Sequence, residues 1–134
     1  MKKSPQEAIA EVLQTVAILR GPGGCPWDQK QTHETRRKYL TEECTEVLEA
    51  LESGNDAAFE EELGDVLLQL LLHAQIASER GAFDFASIVS RLNAKLVFRH
   101  PHVFDGQPIP ADEQALSDQW ERLKALQKAT KNPE

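Results

Sequence analysis

A three-residue break between two helical segments constrains the fold of this chain more than any other feature. Residues 42–65 are helical in pattern at both ends, and Ser53-Gly54-Asn55 between those ends consists of turn-forming residues. If the two helices fold back on each other about Gly54, residues equally distant from it in sequence lie level. Two pairs of acidic residues then face each other: Glu43 with Asp65, and Glu46 with Glu62. The sequence therefore predicts an antiparallel hairpin that carries four converging carboxylates.

Four converging carboxylates predict a metal site. Within each helix the two acids are spaced i, i+3, about 60° apart around the axis. Without a counter-charge they would repel and raise one another's pKa. Mg²⁺ takes oxygen ligands and keeps waters that a phosphate can displace, and Mn²⁺ is a possible substitute.

A solvated acidic face is the alternative. Residues 42–79 contain eleven Asp or Glu and no Lys or Arg, so no ion pairs along the helices explain the acids. Four residues lie within about 40° of Glu62 on the third predicted helix, so that the face of Glu62 runs into an apolar stripe: Val66, Gln69, His73 and Ile76. This face is predicted to point inward. Four other acids are expected at the surface: Glu49, Glu52, Glu60 and Glu61.

The remaining periodicity indicates an all-α chain, a four- to five-helix bundle with the hairpin of helices two and three at its centre. The five helices are expected at about 5–20, 32–52, 56–80, 84–100 and 113–129. Residues 21–28 and 100–106 are expected to be loops, with Trp27 buried as an anchor or, alternatively, forming a wall of a ligand pocket. Residues 1–134 are expected to form one domain with a frayed tail from about residue 130.

The second half of helix three is apolar nearly all round, which predicts burial on every side. Because so few helices can hardly cover it alone, we expect a homo-oligomer, a homodimer or homotetramer. The alternative is an unusually central helix in a monomer. His73 in this segment is expected to be a hydrogen-bonded core histidine and not a ligand.

Composition narrows the class of function. The formal charge of −7 argues against nucleic acid as a partner, although a small anionic substrate is allowed. No signal peptide or membrane span is recognisable, so we expect no membrane association and a cytoplasmic location.

Two helical pairs supply candidate ligands for phosphate. Lys95 and Arg99 are spaced i, i+4 on helix four, and Trp120 and Lys124 are spaced i, i+4 on helix five. Lys and Arg can neutralise the oxygens of a polyphosphate.

The chain resembles the MazG-type nucleoside triphosphate pyrophosphohydrolases of the all-α NTP pyrophosphatase superfamily. The resemblance rests on the acidic pattern at 42–46 and 62–65, on Gly24-Cys25-Pro26-Trp27-Asp28, on Gln31-Thr32 and on the segment 95–104. The familiar bacterial long form carries two such domains in tandem, and the elements Cys-Pro-Trp and His-Pro-His-Val-Phe resemble the first of them.

The resemblance implies Mg²⁺-dependent hydrolysis of nucleoside triphosphates to the monophosphate and pyrophosphate. It implies that Mg²⁺ is held by Glu43, Glu46, Glu62 and Asp65, and that the nucleotide or its phosphates are contacted by Lys95, Arg99, Trp120 and Lys124. Glu42, about 40° from Glu46 on the helix, is a candidate general base or a residue that orients a ligand. The family acts on standard, deoxy- and damaged nucleotides, and the base and sugar stay open.

Two other classes of protein are alternatives to a nucleoside triphosphate pyrophosphohydrolase. A di-iron bundle uses Glu-x-x-His pairs, whereas both i+3 partners here are acids, Glu46 and Asp65. A non-catalytic metal-binding helical dimer or interaction module would retain the acidic motif without turnover.

Overall fold

The computed structural model describes residues 2–130, which form helices and no strand. The helices are α1 (Pro5–Arg20), α2 (Pro26–Gln29), α3 (Arg37–Ser53), α4 (Asp56–Glu79), α5 (Phe85–Arg99), α6 (Pro101–Phe104) and α7 (Glu113–Thr130). The all-α prediction is therefore confirmed for this range. The predicted frayed tail lies almost entirely outside the described residues. No helix between residues 2 and 130 combines the length and apolarity needed to cross a membrane.

Helix α1 begins where the sequence predicts. The Ser4 side chain accepts a hydrogen bond from the Glu7 N–H at 3.1 Å, and the Glu7 carboxylate accepts one from the Ser4 N–H at 2.9 Å. This reciprocal capping, with Pro5 at the first helical position, satisfies backbone donors that have no partner inside the helix.

Two short helices lie where loops were predicted, and that prediction was wrong. Both α2 and α6 begin with proline, Pro26 and Pro101, whose ring fixes a helical φ and whose missing N–H is not needed in the first turn. Trp27 in α2 is 71% exposed, so the expectation of a buried anchor was also wrong. The Lys30 ammonium lies 5.1 Å from the centre of its ring.

Helix α3 begins at Arg37, about five residues later than predicted. The reason is local: the hydroxyls of Thr32 and Thr35 each accept a hydrogen bond from the other residue's N–H, at 3.1 and 2.8 Å. Side chains that bond to nearby backbone in this way favour turns over continuous helix.

Helices α3 and α4 pack against each other across the connection at Gly54 and Asn55. Gly54 ends α3 with a φ of 73°, a left-handed conformation that glycine adopts without steric cost. The Asn55 side chain then caps α4 by accepting a hydrogen bond from the Ala58 N–H at 3.1 Å.

The chain divides into two compact units, with the boundary between Phe85 and Ala86. The core of the first unit lies where α1 meets α4. Buried Val16, Leu71 and Leu72 form its centre, and four partly buried side chains pack against them: Ile9, Val12, Leu13 and Phe85. Arg20, at the end of α1, donates to the carbonyls of Asp28 and Gln31 and pairs with Glu79 of α4.

The second unit contains most of α5, together with α6 and α7. Arg99 of α5 donates to the Gln127 side chain of α7 at 2.8 Å. The side chains of His102 on α6 and Gln119 on α7 are hydrogen-bonded at 3.0 Å. Leu123 of α7 is buried.

Helix α4 is only partly covered within this chain. Its C-terminal half holds the buried residues Leu71, Leu72, Ala74, Ile76 and Ala77. Leu67, Leu68 and Leu70, however, are 39%, 38% and 48% exposed. The homo-oligomer expected to cover this helix stays a prediction, as does the single domain.

Candidate metal centre

Three carboxylates of the α3–α4 pair converge in the first unit. One oxygen each from Glu43 on α3 and from Glu62 and Asp65 on α4 lie within 4.8 Å of one another, and all three residues are half-buried. Glu62 and Asp65 share a face because they are three residues apart on one helix. The turn at Gly54 places Glu43 opposite them.

The fourth predicted ligand, Glu46, lies beside this group but is exposed. A hydrogen bond between the Glu43 and Glu46 carboxyls, burial, and the charges of Glu46, Asp65 and Glu62 raise the pKa of Glu43 to about 7. Burial, the charges of Glu46, Asp65 and Glu61, and a hydrogen bond with Asp65 raise the pKa of Glu62. The acids therefore crowd one another enough to retain protons that isolated carboxylic acids would lose.

Two oxygens of the group are buried without a hydrogen bond. Neither Glu43 Oε2 nor Glu62 Oε2 has a hydrogen-bond partner within the described part of the chain. A buried carboxylate oxygen without a partner is costly, and native proteins rarely leave one unsatisfied. An oxygen-only donor set with inward-facing lone pairs and mutual repulsion fits a hard divalent cation such as Mg²⁺.

The face that carries the group points inward, as predicted. Moving along α4 from Glu62, Gln69 is 2% exposed and Ile76 is 8% exposed. The four acids expected at the surface, Glu49, Glu52, Glu60 and Glu61, are all exposed. Glu42 is also exposed and does not belong to the group of three, so its role stays a prediction.

A cation on the same side of the first unit was missed by the sequence interpretation. Arg36 donates from Nε and Nη2 to the Gln69 side-chain oxygen, at 3.2 and 2.9 Å, and its guanidinium lies 4.2 Å from the centre of the Tyr39 ring. Its partner Gln69 shares the face of Glu62 and Asp65. The only sequence signal for this contact was an amide inside an apolar stripe.

The predicted nucleotide-contacting residues lie in the second unit. Arg99 is 6% exposed, and its guanidinium lies 4.9 Å from the centre of the Trp120 ring. The His100 ring meets Trp120 edge-on, with 5.4 Å between the ring centres. Lys95 is exposed and Lys124 is half-buried. The structure thus brings Arg99 and Trp120 together, and the roles of all four predicted residues stay predictions.

Comparisons with known proteins agree on one family. Residues 31–104 match the family described as the MazG nucleotide pyrophosphohydrolase domain. The chain is 50% identical to the nucleoside triphosphate pyrophosphohydrolase/pyrophosphatase MazG of Thermotoga maritima, over 90% of this chain and 46% of that protein. It is 40% identical to the nucleoside triphosphate pyrophosphohydrolase of Escherichia coli K12, over 92% of this chain and 47% of that protein.

A solved structure supports the same assignment. The crystal structure of a MazG-related protein from Thermotoga maritima superposes with a TM-score of 0.69 at 30% identity, and the match covers 89% of this chain and 98% of that one. The chain spans less than half the length of the two curated relatives.

Proposed function

The chain belongs to the MazG nucleotide pyrophosphohydrolase family, and from that premise we propose that it hydrolyses nucleoside triphosphates to the monophosphate and pyrophosphate. One structural observation supports the proposal independently of family membership. The carboxylates of Glu43, Glu62 and Asp65 converge within 4.8 Å, and two of their oxygens are buried without a hydrogen bond. We propose that these residues, with Glu46, hold Mg²⁺, for which Mn²⁺ can substitute.

The proposed reaction requires few protein groups besides the ligands of the cation. When bound, Mg²⁺ would polarise the α-phosphate and lower the pKa of a water. A bond then forms between the water oxygen and the α-phosphorus, and the bond from that phosphorus to the bridging oxygen breaks and releases pyrophosphate. Glu42 is proposed to accept the water's proton, or alternatively to orient a ligand. Glu43 would have to lose its own proton to hold the cation as a carboxylate.

The nucleotide is proposed to be contacted by Lys95, Arg99, Trp120 and Lys124, which match family positions. Arg99 suits this role because the Trp120 ring and the Gln127 oxygen fix its planar guanidinium in advance. Positioning and charge neutralisation supply most of the catalysis in phosphoryl chemistry of this kind.

We also propose that α3 and α4 form the central hairpin of a helical bundle and that the chain assembles as a homodimer or homotetramer. Large apolar side chains on both helices are exposed in the single chain: Leu48, Leu51, Leu63, Leu67, Leu68 and Leu70. An exposed apolar surface of this extent is typical of an interface between subunits. Light scattering on the purified chain should give at least twice the monomer mass, and a monomeric mass would contradict this assembly.

The reaction is tested by product analysis. Ribo- and deoxynucleoside triphosphates are incubated with Mg²⁺ or with EDTA, and pyrophosphate and inorganic phosphate are measured separately for the wild type and Glu43→Ala. We expect Mg²⁺-dependent pyrophosphate release that the variant loses. Release of inorganic phosphate would mean cleavage of a different bond, and no release from any substrate would favour a non-catalytic metal-binding module. Hydrolysis in ¹⁸O-labelled water should place the label in the monophosphate.

A further inference from the structure

Two histidines outside the carboxylate group face each other in the first unit. His33 lies in the connection between α2 and α3, and His73 lies on α4, two turns beyond Asp65. Their Nδ1 atoms are 2.7 Å apart, and their ring planes differ by only 6° with 5.0 Å between the ring centres. Parallel rings stacked face to face would keep their atoms at least about 3.5 Å apart. The rings therefore meet edge to edge, with the Nδ1 atoms joined by a hydrogen bond.

A hydrogen bond between two ring nitrogens contains one proton, and Arg80 decides which ring carries it. Arg80 Nε lies 3.2 Å from His33 Nε2. Because an arginine nitrogen can only donate, His33 Nε2 accepts and carries no hydrogen. The proton of neutral His33 is then on Nδ1, from which it is donated to His73 Nδ1. Neutral His73 consequently carries its own proton on Nε2, so the contacts assign a single tautomer to each ring.

Charged neighbours favour this neutral state. Burial, together with His33 and the Arg36 guanidinium, lowers the pKa of His73, and Arg80 is bonded directly to His33. From α1, the group that faces this end of α4 is Arg20, which is paired with Glu79. An additional proton would go to His73 Nδ1 or to His33 Nε2, the two acceptors of the arrangement, and either the bond between the rings or the bond from Arg80 would then lose its acceptor, beside two arginines. Both bonds are satisfied together only while both rings are uncharged.

The histidine pair connects the start of α3 to the helix that carries two of the carboxylates. The segment 31–36 precedes α3 directly and is attached to α4 at two points, through His33 to His73 and through Arg36 to Gln69. The position of α3 along α4 sets where Glu43 stands relative to Glu62 and Asp65.

We propose that His33 and His73 are positioning residues of the pyrophosphohydrolase site, which as a neutral, single-tautomer pair hold segment 31–36 on α4 and which release it when protonated. This rests on the proposed function only where activity is concerned. Because the pKa of His73 is lowered in the folded chain, the attachment is complete above the ordinary histidine value of 6.5 and is lost as the pH falls below it.

The tautomers are tested first, because that test needs no substrate. Nitrogen-15 NMR of the histidine rings in the full chain at pH 7.5 should show His33 protonated on Nδ1 and His73 on Nε2. Arg80→Met should abolish the preference of His33 for a single tautomer. Arg37→Met, which removes a 78% exposed cation, should leave it unchanged. A charged ring at pH 7.5, or the opposite tautomers, would overturn the proposal.

The release is tested with His73→Asn, whose side-chain oxygen can accept the His33 hydrogen bond and does not titrate. The Arg36 N–H, bonded to the Thr32 carbonyl at 3.2 Å, reports on the segment by hydrogen exchange. Corrected for intrinsic exchange rates, its protection should fall at least severalfold between pH 7.5 and 5.5 in the wild type. The variant should show little change. Equal loss in both proteins, or none in the wild type, would contradict the release.

The third test of the histidine pair measures enzymatic activity. The ratio of pyrophosphate release by His73→Asn to that by the wild type should rise as the pH falls from 7.5 to 5.5, because titration of the carboxylates affects both proteins alike. His73→Leu, which lacks the acceptor, should lose about tenfold or more in kcat/KM at pH 7.5. A flat ratio would overturn the positioning role. No turnover by the wild type would refute the proposed function, and the NMR and exchange tests would still decide the attachment.

Discussion

The pKa of Glu43 gives a quantitative prediction for metal binding. A proton on Glu43, whose pKa is raised to about 7, competes directly with a cation for the carboxylate group. With that value, about one molecule in eleven has an ionised Glu43 at pH 6, about half do at pH 7 and about ten in eleven do at pH 8. The Mg²⁺ dissociation constant should therefore be about tenfold larger at pH 6 than at pH 8.

The proton that Mg²⁺ displaces can be counted. Binding should release about 0.9 proton at pH 6 and about 0.1 at pH 8. Isothermal titration calorimetry of the full chain in two buffers of different ionisation enthalpy measures both the affinity and this number. Glu43→Gln should bind Mg²⁺ far more weakly and with a smaller pH dependence, of which the part due to the raised pKa of Glu62 remains. Glu49→Gln, which changes an exposed acid on the same helix, should match the wild type. Equal affinity at pH 6 and pH 8 without proton release would refute the reasoning.

The same carboxyl group predicts an unusual stability profile. The pKa of Glu43 in the folded chain lies above the ordinary glutamate value of 4.5, so the protonated form favours the folded chain, and that contribution to stability is lost as the pH rises through about 7. The metal-free chain should therefore melt at a lower temperature at pH 8 than at pH 6. Added Mg²⁺ should raise the Tm more at pH 8 than at pH 6, which differential scanning fluorimetry can measure. A larger gain at pH 6 would contradict this sign.

Three further predictions concern unfolding in urea. Leu71→Ala should lower the free energy of unfolding by about 2–5 kcal/mol, because this side chain is 2% exposed in the core. Ile18→Ala, at a side chain that is 61% exposed, should lower it by about 0.5 kcal/mol. Gly24→Ala should lower the free energy of unfolding by about 1–3 kcal/mol, because a Cβ there would lie 2.3 Å from two backbone oxygens of α1. Gly64→Ala should be neutral or stabilising, because a Cβ at that position would have no neighbour within 4 Å. Arg20→Met should lower the free energy of unfolding by about 2 kcal/mol, because the Gln31 carbonyl loses its donor and Glu79 loses its ion-pair partner. Equal urea midpoints for Leu71→Ala and Ile18→Ala, or for Gly24→Ala and Gly64→Ala, would contradict the packing described at Leu71 or at Gly24. An unchanged midpoint for Arg20→Met would contradict the contacts described for Arg20.

The longer helices follow from the sequence because their signals are local. Ser4 and Glu7 fix the start of α1, and Gly54 fixes the end of α3, whatever the rest of the chain does. The single-turn helices α2 and α6 were missed because glycine and proline break long helices but permit short ones that begin at proline. The exposure of Trp27 could not be predicted, since the size of a side chain does not fix what covers it.

The candidate site, like the fold, could be predicted only in part from the sequence. Spacing alone brings Glu62 and Asp65 to one face, and one turn brings Glu43 opposite them. The contact between Arg36 and Gln69 spans 33 residues, and that between His33 and His73 spans 40. Helical periodicity says which face a residue occupies, but it does not say which residue of another segment it meets there.

The most direct test of the carboxylate site compares two adjacent glutamates of α4. Glu62 belongs to the converging group and has a buried oxygen without a partner, whereas Glu61 beside it is exposed. Mg²⁺-dependent pyrophosphate release is measured for Glu62→Gln and Glu61→Gln with the best nucleoside triphosphate of the panel. We predict a loss of at least about 100-fold in kcat/KM for Glu62→Gln and less than about twofold for Glu61→Gln. Similar activities for the two variants would contradict a catalytic site at this group of carboxylates.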